Sequence, residues 1–273
     1  MKSCIIFSMD RAMQLACLLE SIKLKVSGLK KIYIIWRATS HEHLLSYLEI
    51  IAQHQDSNIL FFCQENISCF KSMVVSCVSK IDTDMMFFLV DDNIFINDVD
   101  LYNIKFDCDK YIFSLRLGKS LSACYTMNCK QELPSFVLHN DWLQWEWKLG
   151  KCDWGYPLSV DGHIFSTKEI LSLISNINFT APNQLESEMQ RCLKDFINRK
   201  GLCFEYPKLL NLPINKVQTV NNNYHGEIHQ DYLLEMWQKG YKIDNQKIYG
   251  IKPISAHQEI ELFFIKRGYN DRN

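Results

Sequence analysis

Two adjacent carboxylates at the end of a predicted buried strand are the residues in this chain that most clearly suit ligand chemistry. The stretch Met85–Val90 holds six apolar residues, the length of a strand buried on both faces of a parallel sheet, and Asp91 and Asp92 follow it directly. Because an unpaired buried carboxylate keeps a large desolvation cost, the pair is expected at the carboxyl end of the strand, where open α/β sheets bind ligands. Oxygen ligands there suit Mg²⁺ or Mn²⁺, with substrate phosphates completing the coordination shell. The alternative is a polar turn.

A second group of polar residues follows the first predicted strand. Ser8, Asp10 and Arg11 lead straight into a helical pattern, where polar side chains can hold a nucleobase or ribose and the helix N-terminus favours phosphate. Ser8 or Asp10 could equally serve as a helix cap. Lys71, near the start of a later helix, is a further candidate for nucleotide binding, although a solvated surface lysine is the more common case.

Strands and helices alternate regularly over the first third of the chain. Hydrophobic spacing predicts strands over 4–9, 32–36, 59–63 and 85–90 and helices over 13–22, 43–51 and 70–78. This alternation implies right-handed βαβ crossovers and a mostly parallel central sheet flanked by helices, an α/β fold of Rossmann-like type.

The regular alternation stops after Asn93. We predict strands over 111–115 and 143–149, helices over 167–175, 182–200 and 231–239, and a further helix over 259–267. Four tryptophans between 139 and 157 are more often core residues than a platform for a sugar ring. The expected organisation is one compact domain with a nucleotide-binding half, 1–98, and an acceptor-binding half with a helical and loop region, 99–273.

The composition and net charge of the chain argue against some classes of protein. The chain has 273 residues, 47% of them hydrophobic, and a formal net charge of −1, which argues against a nucleic-acid binder. Its 11 cysteines are scattered through apolar segments and predict reduced core residues in a cytosolic protein. No signal peptide and no membrane span are expected, although association with the inner membrane face is compatible with the composition.

The order of these features resembles nucleotide-sugar glycosyltransferases of the GT-A fold. The resemblance covers about residues 3–93 and depends on the first strand with its polar turn, the βαβ half and the Asp91-Asp92-Asn93 motif. A weaker similarity to bacterial glycosyltransferases of surface polysaccharide synthesis involves 113–118, 156–163 and 182–186. In the GT-A family the aspartate motif carries a divalent metal that bridges the nucleotide diphosphate. The motif here ends in Asn rather than Asp, which leaves open which side chains contact the metal.

The resemblance implies roles for residues in both halves. Asp91, Asp92 and Asn93 would hold Mn²⁺ or Mg²⁺, and enzymes of this fold often add a histidine from late in the chain. His225 is our choice, with His229 and His163 as competitors. Arg116 is a candidate for stabilising the nucleotide phosphates, and a surface or ion-paired arginine is its alternative.

If the reaction inverts the anomeric carbon, a carboxylate must take the proton of the acceptor hydroxyl. Asp161, in a turn-like Val-Asp-Gly-His, and Glu186, at the start of a predicted helix, are the two candidates, with Glu188 behind them. Their alternatives are a turn residue and a charge that favours the helix dipole.

The sequence thus predicts a metal-dependent glycosyltransferase that moves a sugar, most simply from a UDP-linked donor, to a hydroxyl of a glycan or lipid-linked acceptor. A nucleotidyltransferase is the first alternative, but the turn over 8–11 lacks the glycines expected of its phosphate loop. The second is a catalytically inactive binding subunit of the same fold, which the Asn at position 93 keeps open.

Overall fold

The fold is built around a nine-stranded mixed sheet with helices on both faces. The computed structural model describes residues 1–55, 58–215, 226 and 228–268. The sheet strands in chain order are β1 Lys2–Met9, β2 Leu29–Arg37, β3 Ile59–Cys63, β4 Met85–Val90, β5 Tyr111–Ser114, β6 Val137–His139, β7 Trp142–Glu146, β8 His163–Ser166 and β9 Lys200–Cys203. The helices are α1 Ala12–Lys25, α2 His41–Gln53, α3 Phe70–Ser79, α4 Thr167–Asn176, α5 Pro182–Arg191 and α6 Gln230–Gln238.

Spatially the strands follow the order β6-β7-β9-β5-β8-β4-β1-β2-β3. The strands β3, β2, β1 and β4 are parallel neighbours, whereas β8 pairs antiparallel with both β4 and β5. Seven of the nine strands point in the same direction, and only β7 and β8 run against them. The predicted α/β fold with a mostly parallel central sheet is therefore confirmed.

Side chains alternate between two hydrophobic cores, one on each face of the sheet. In β1, Ile6 packs into the core that contains α1, and its neighbour Ile5 packs into the opposite core with α3 and α4. The central strands are apolar on both faces because both faces are covered, as is usual for parallel strands in α/β proteins. This arrangement leaves the strand ends as the places where polar residues of β1 and β4 can reach solvent or a ligand.

Short additional elements close the edges of the sheet. Two-stranded pairs join Val26–Ser27 to Val99–Asp100, Asn93–Phe95 to Leu209–Asn211, Ala123–Cys124 to Cys129–Lys130 and Tyr241–Ile243 to Phe264–Lys266. Single 3₁₀ turns lie at Ile67–Cys69, Trp147–Leu149, Cys152–Gly155, Leu193–Asp195 and Asn245–Lys247. In the described part of the chain, no helix is long and apolar enough to cross a membrane.

The elements predicted for the first third are confirmed, with β3 and β4 matching at both ends, but three later predictions need correction. The helix predicted over 182–200 ends at Arg191, and Gly201 lies inside β9 instead of stopping that helix. The segment predicted as a helix over 259–267 contains the strand Phe264–Lys266, whose backbone pairs with Tyr241–Ile243. The strand predicted over 143–149 ends at Glu146 and continues as a 3₁₀ turn.

The tryptophan-rich segment builds core rather than a sugar platform. Trp145, Trp147 and Trp154 are almost completely buried and pack edge to face, with ring centroids of Trp145 and Trp147 4.6 Å apart. The Nε1 of Trp145 donates to the carbonyl oxygen of Trp154 at 3.0 Å, which fixes the orientation of its indole. Gly201 in β9 is required beside this ring, because a Cβ at that position would lie 2.2 Å from Cζ2 of Trp145.

We predict that Gly201→Ala lowers the free energy of unfolding by about 1–3 kcal/mol, the usual cost of overfilling a packed core. The ring of Trp145 cannot withdraw without losing its hydrogen bond. Urea unfolding measures the change. Lys200→Ala, on the same strand but at an exposed position, is the matched control and should stay within about 0.5 kcal/mol of the parent. Equal stability of G201A and the parent would contradict the packing described here.

Candidate active site

A large cavity opens at the carboxyl ends of the parallel strands. Its volume is about 730 Å³, and its walls come from the ends of β1, β2 and β4, the segments 124–127 and 152–161, and the start of α5. The polar groups that line it include Ser8, Arg11, Arg37, Asp91, Asp92, Arg116, Asp153, Tyr156, Asp161, Glu186, Asn215 and His257. Because these strands run parallel, side chains far apart in the sequence meet at one sheet edge.

Arg11 bridges both carboxylates of the aspartate pair. Its Nη1 lies 3.1 Å from Oδ1 of Asp91 and 2.6 Å from Oδ2 of Asp92. Its Nε donates to Oδ1 of Asn215 at 2.8 Å, and Nη2 donates to the backbone oxygen of the same residue. The guanidinium is therefore held on two sides, and its charge offsets part of the charge on the two aspartates.

The second oxygen of Asp91 is also fully engaged. Oδ2 accepts from Oγ of Ser8 at 2.8 Å and from the backbone N–H of Met9 at 3.2 Å. The Ser8 hydroxyl in turn lies 2.6 Å from the hydroxyl of Tyr47 in α2, which also accepts the backbone N–H of Arg11 at 3.1 Å. Asp91 and Ser8 thus connect the turn after β1 to the end of β4. Each side-chain oxygen of these two residues has a hydrogen-bond partner in the protein.

Asp10 has a structural role in this arrangement. Its backbone adopts a left-handed conformation, with φ of 54°, and its carboxylate accepts from the backbone N–H and the hydroxyl of Thr39 at 2.8 and 2.6 Å. It is not among the residues that line the cavity. Asp10 was predicted to bind the nucleotide, and in this structure it instead ties the turn to the segment after β2.

Asp92 has one oxygen whose hydrogen-bonding capacity is not met by the described part of the chain. Its Oδ1 is buried and has no hydrogen-bond partner among the residues that the structure describes. Burial raises the pKa of Asp92 to about 7 despite the opposing charge of Arg11, and the neighbouring charges of Asp91 and Asp161 add to the rise. Burial likewise raises the pKa of Asp91, which Arg11 and Ser8 oppose.

These contacts decide which residues fit a divalent cation. Asp92 lines the cavity, and its buried oxygen without a partner among the described residues suits a cation that is shared with a ligand's phosphates, since Mg²⁺ is commonly bound by one or two carboxylates plus substrate phosphates. Asp91 was predicted to be a further ligand, but its oxygens are occupied by Arg11, Ser8 and Met9. Within the described residues, no group of three or more acidic, histidine or cysteine side chains could hold a metal by itself.

Asn93 does not contact the cavity. Its Oδ1 accepts the backbone N–H of Val90 at 2.9 Å, and its Nδ2 donates to Oδ1 of Asp161 at 3.2 Å. Asn93 is also 2% exposed, which is less than its two aspartate neighbours in the motif. Its predicted role as a metal ligand is corrected: the side chain links the end of β4 to Asp161.

Asp161 belongs to a second charged cluster, which Asn93 connects to the end of β4. His257 Nε2 lies 3.1 Å from Oδ2 of Asp161, and Arg116 Nη1 lies 3.7 Å from the same oxygen. Arg116 Nη2 lies 3.4 Å from Asp153, and its Nε is buried without a hydrogen-bond partner among the described residues. Although burial alone would raise it, the pKa of Asp161 is lowered to about 2 by His257, Arg116 and Asn93. Asp161 is therefore a firmly ionised carboxylate.

Glu186 is the fifth residue of α5, just beyond its first turn, and lines the cavity. Its Oε1 accepts the backbone N–H of Val160 at 3.0 Å. Burial raises the pKa of Glu186 and the charge of Asp161 adds to the rise, whereas Arg116 opposes it. Asp161 and Glu186, the two carboxylates predicted from the sequence as candidate bases, thus lie on the same side of the cavity. The pKa of Asp161 is lowered, whereas the pKa of Glu186 is raised.

The other predicted residues are placed as follows. Lys71 does not line the cavity and donates to Oδ1 of Asn178 at 3.2 Å. His163 is buried against Trp147, and burial lowers its pKa to about 3. His229 begins α6 beside Asp231, away from the cavity lining. His225 lies outside the described residues.

Sequence reasoning missed His257, Asn215 and Tyr47. His257 is a histidine from late in the chain, as the resemblance leads one to expect, but its neighbours Ser255, Ala256 and Gln258 carry no motif. A parallel bridge between Asn211 and His257 brings it to the sheet edge. Tyr47 looks from its spacing like an ordinary apolar residue of α2, and only its hydroxyl contacts reveal its role.

The chain was compared with known families, curated proteins and solved structures. No protein-family model and no curated protein matched. Among solved structures, S. aureus TarS 1-349 in complex with UDP aligns with 75% of this chain and 58% of its own length, at 13% identity and a TM-score of 0.45. GalNAc-T7 with UDP, GalNAc and Mn²⁺ aligns with 75% of this chain and 42% of its own, at 11% identity and a TM-score of 0.48.

Nucleotidyltransferases also match. The 4-diphosphocytidyl-2C-methyl-D-erythritol synthase of Anaerococcus prevotii aligns with 87% of this chain and 96% of its own, at 12% identity and a TM-score of 0.44. The neighbours therefore include GT-A glycosyltransferases and nucleotidyltransferases.

The raised pKa of Asp92 predicts a pH-dependent stability. The carboxyl group binds its proton more tightly in the folded protein than in the unfolded chain, whose ordinary value is 3.8. Its contribution to the free energy of unfolding is therefore fully present below that value and is lost as the pH rises through about 7. With EDTA present, Asp92→Asn should remove this loss, which is on the order of 1–4 kcal/mol between about pH 4 and pH 8. Urea unfolding at several pH values tests this, with Asp98→Asn, at an 82% exposed side chain, as control. Parallel pH profiles for D92N and the parent would refute it.

Proposed function

We propose that this protein is a glycosyltransferase that moves a sugar from a nucleotide-sugar donor to a hydroxyl group of an acceptor. The observation that carries the proposal is that one cavity holds two distinct carboxylate centres. Asp92, next to Arg11, has a buried oxygen without a partner among the described residues at the end of β4, and Glu186, from α5, has a carboxyl group with a raised pKa. A cation and phosphate site beside a separate base is what transfer from a nucleoside diphosphate requires.

The charge of the cavity supports use of a divalent cation with the donor. Five carboxylates line it, from Asp91, Asp92, Asp153, Asp161 and Glu186, against three arginines, Arg11, Arg37 and Arg116. A diphosphate is itself anionic, so it needs added positive charge to enter such a cavity. In this proposal the oxygen of Asp92 would hold Mg²⁺ or Mn²⁺, and the cation would supply positive charge for the diphosphate leaving group.

Arg11 and Arg116 have separate duties in this proposal. Arg11 keeps the two aspartates of the motif close together at a strand end where their repulsion would otherwise force them apart. Arg116 projects its charge to the wall that carries Asp161, and its buried Nε has no partner among the described residues. That N–H suits a phosphate oxygen of the donor, because arginine donors match phosphate geometry.

Glu186 is the better of the two carboxylates for accepting a proton. Asp161 has its oxygens bound by His257, Asn93 and Asn211 and its pKa lowered to about 2, so its affinity for a proton is small. Glu186 has a raised pKa, which favours proton transfer from an acceptor hydroxyl during attack on the anomeric carbon. Asp161 then acts as a fixed negative charge that maintains the proton affinity of Glu186.

The donor, the acceptor and the stereochemical course in this proposal are taken from the sequence resemblance. A UDP-linked donor, a glycan or lipid-linked acceptor of surface polysaccharide synthesis, and inversion in a single displacement fit a base that is separate from the phosphate site. Residues 1–98 supply most of the donor side, to which Arg116 adds its phosphate contact, and residues within 99–273 supply the acceptor side. The proposed location is the cytoplasm, at the inner face of the membrane when the acceptor is lipid-linked.

The base assignment predicts a separation of binding from turnover. Glu186→Gln removes the group that takes the proton while keeping its size and an amide oxygen toward the N–H of Val160, so transfer should fall by about 10²–10⁴-fold with donor affinity unchanged. Glu188→Gln, on the same helix and paired with Arg191, is the matched control and should retain transfer. Product formation is followed by mass spectrometry and donor affinity by calorimetry. Full turnover by E186Q would assign the base elsewhere, with Asp161 next in line.

The donor and cation are identified together by thermal shift. Nucleotides and nucleotide sugars are each added with Mn²⁺ or with EDTA, and a ligand at about 100 times its Kd stabilises by about 2.7 kcal/mol. We expect a Mn²⁺-dependent shift with one nucleoside diphosphate family that disappears in Asp92→Ala and persists in Asp98→Ala. Release of pyrophosphate from a nucleoside triphosphate and a sugar phosphate would instead support the nucleotidyltransferase alternative. No shift with any ligand would refute the donor site.

A further inference from the structure

Two cysteine thiols face each other at the mouth of the cavity. The Sγ atoms of Cys129 and Cys152 lie 3.7 Å apart, although 23 positions separate them in the sequence. Cys129 begins the second strand of the hairpin Ala123–Cys124 and Cys129–Lys130, and Cys152 begins the 3₁₀ turn Cys152–Gly155. The function proposed above uses neither thiol, and the inference drawn here goes beyond that function and does not depend on it.

Accessibility distinguishes this pair from most other cysteines. Cys129 is exposed and Cys152 is partly exposed and lines the cavity, so a small oxidant can reach both sulfur atoms. Cys4, Cys17 and Cys203, in contrast, are fully buried in the two cores. Buried thiols of this kind are shielded from oxidants, because the reactivity of a cysteine depends on its exposure and on the fraction that is present as thiolate.

We propose that Cys129 and Cys152 form an oxidative modification site that closes to a disulfide under hydrogen peroxide and reopens with a dithiol reductant. The Sγ atoms need to approach by less than about 2 Å to reach the bonding distance of a disulfide. Cys152 has a left-handed backbone conformation, with φ of 52°, which is uncommon for a residue other than glycine.

The chemistry balances with peroxide as the only added reactant. The Cys129 thiolate attacks one oxygen of hydrogen peroxide and becomes a sulfenic acid, with release of water on protonation. The sulfur of Cys152 then attacks that sulfenic sulfur, an S–S bond forms, and a second water leaves with the remaining proton. Burial, together with hydrogen bonding to Cys129 and the nearby Cys124, raises the pKa of Cys152 to about 12, so the exposed Cys129 is the thiol that is oxidised first.

Closing this bond would join two walls of the cavity. Tyr125, Thr126 and Met127, at the tip of the hairpin, line the cavity on one side, and Asp153 and Tyr156 follow Cys152 on the other. The Gln131 side chain already spans the same gap, with its Nε2 3.2 Å from Oδ2 of Asp153 and its Oε1 accepting the backbone N–H of Asp153. A disulfide therefore strengthens an existing contact and restricts the hairpin at the cavity mouth.

The test uses the full chain and needs no substrate. After peroxide treatment and blocking of free thiols, peptide mapping should find a link between Cys129 and Cys152, with two fewer reactive thiols per chain and recovery on adding dithiothreitol. Cys129→Ser and Cys152→Ser should each abolish the link. Cys108→Ser, which removes a partly exposed cysteine from another part of the fold, should keep it.

A second measurement reports on the consequence of the link. Oxidised protein should have a higher melting temperature than reduced protein and slower amide hydrogen exchange over residues 123–131, and neither change should occur in C129S. A link of Cys124 to either partner, or oxidation of Cys129 to the sulfinic acid without a link to Cys152, would overturn the proposal. Because these readouts involve no donor or acceptor, their failure is distinct from failure of the proposed transferase activity.

Discussion

The ion pair of Arg11 with Asp91 and Asp92 is the constraint on which the cavity depends. Two adjacent carboxylates at a buried strand end repel each other and lose hydration, and a single guanidinium offsets both effects. Its remaining donors are bound by Asn215, so the loop after Leu209–Asn211 is held to the turn after β1. The ends of β1 and β4 and this loop are therefore positioned by one charged group, and Asp92 keeps one buried oxygen without a hydrogen-bond partner among the described residues.

Asn93 connects this centre to the second one. As an amide it both accepts and donates, so it satisfies the N–H of Val90 and an oxygen of Asp161 at the same time. An aspartate there would place a further carboxylate against Asp161 and would leave the N–H as its only favourable contact. The amide at position 93 thus links the end of β4 to Asp161 through two hydrogen bonds that an ionised aspartate could not both make.

The fold and the site were predictable from the sequence to different extents. The bounds of elements with strong local periodicity, such as Met85–Val90 and Phe70–Ser79, were predicted closely. The spacing of apolar residues within each segment is enough to indicate which of its side chains are buried. The helix predicted over 182–200 was too long, because the apolar residues between Arg191 and Gly201 continue the helical spacing. Gly201 resembles a helix stop, whereas the indole of Trp145 is what requires a glycine there. A contact between strands that are distant in the sequence leaves no local signal.

The sequence by itself determined the α/β architecture, the carboxyl-end position of Asp91 and Asp92 and the placement of Glu186 in a helix that begins at Pro182, because each follows from local residue patterning and the cost of burying charge. Only the tertiary structure decided which charges are paired. It assigned Arg11 to the aspartates, Asn93 and His257 to Asp161, and the tryptophans to the core. Those assignments depend on side-chain distances between segments up to about 200 residues apart, and electrostatic interaction and desolvation are functions of distance and burial rather than of sequence position.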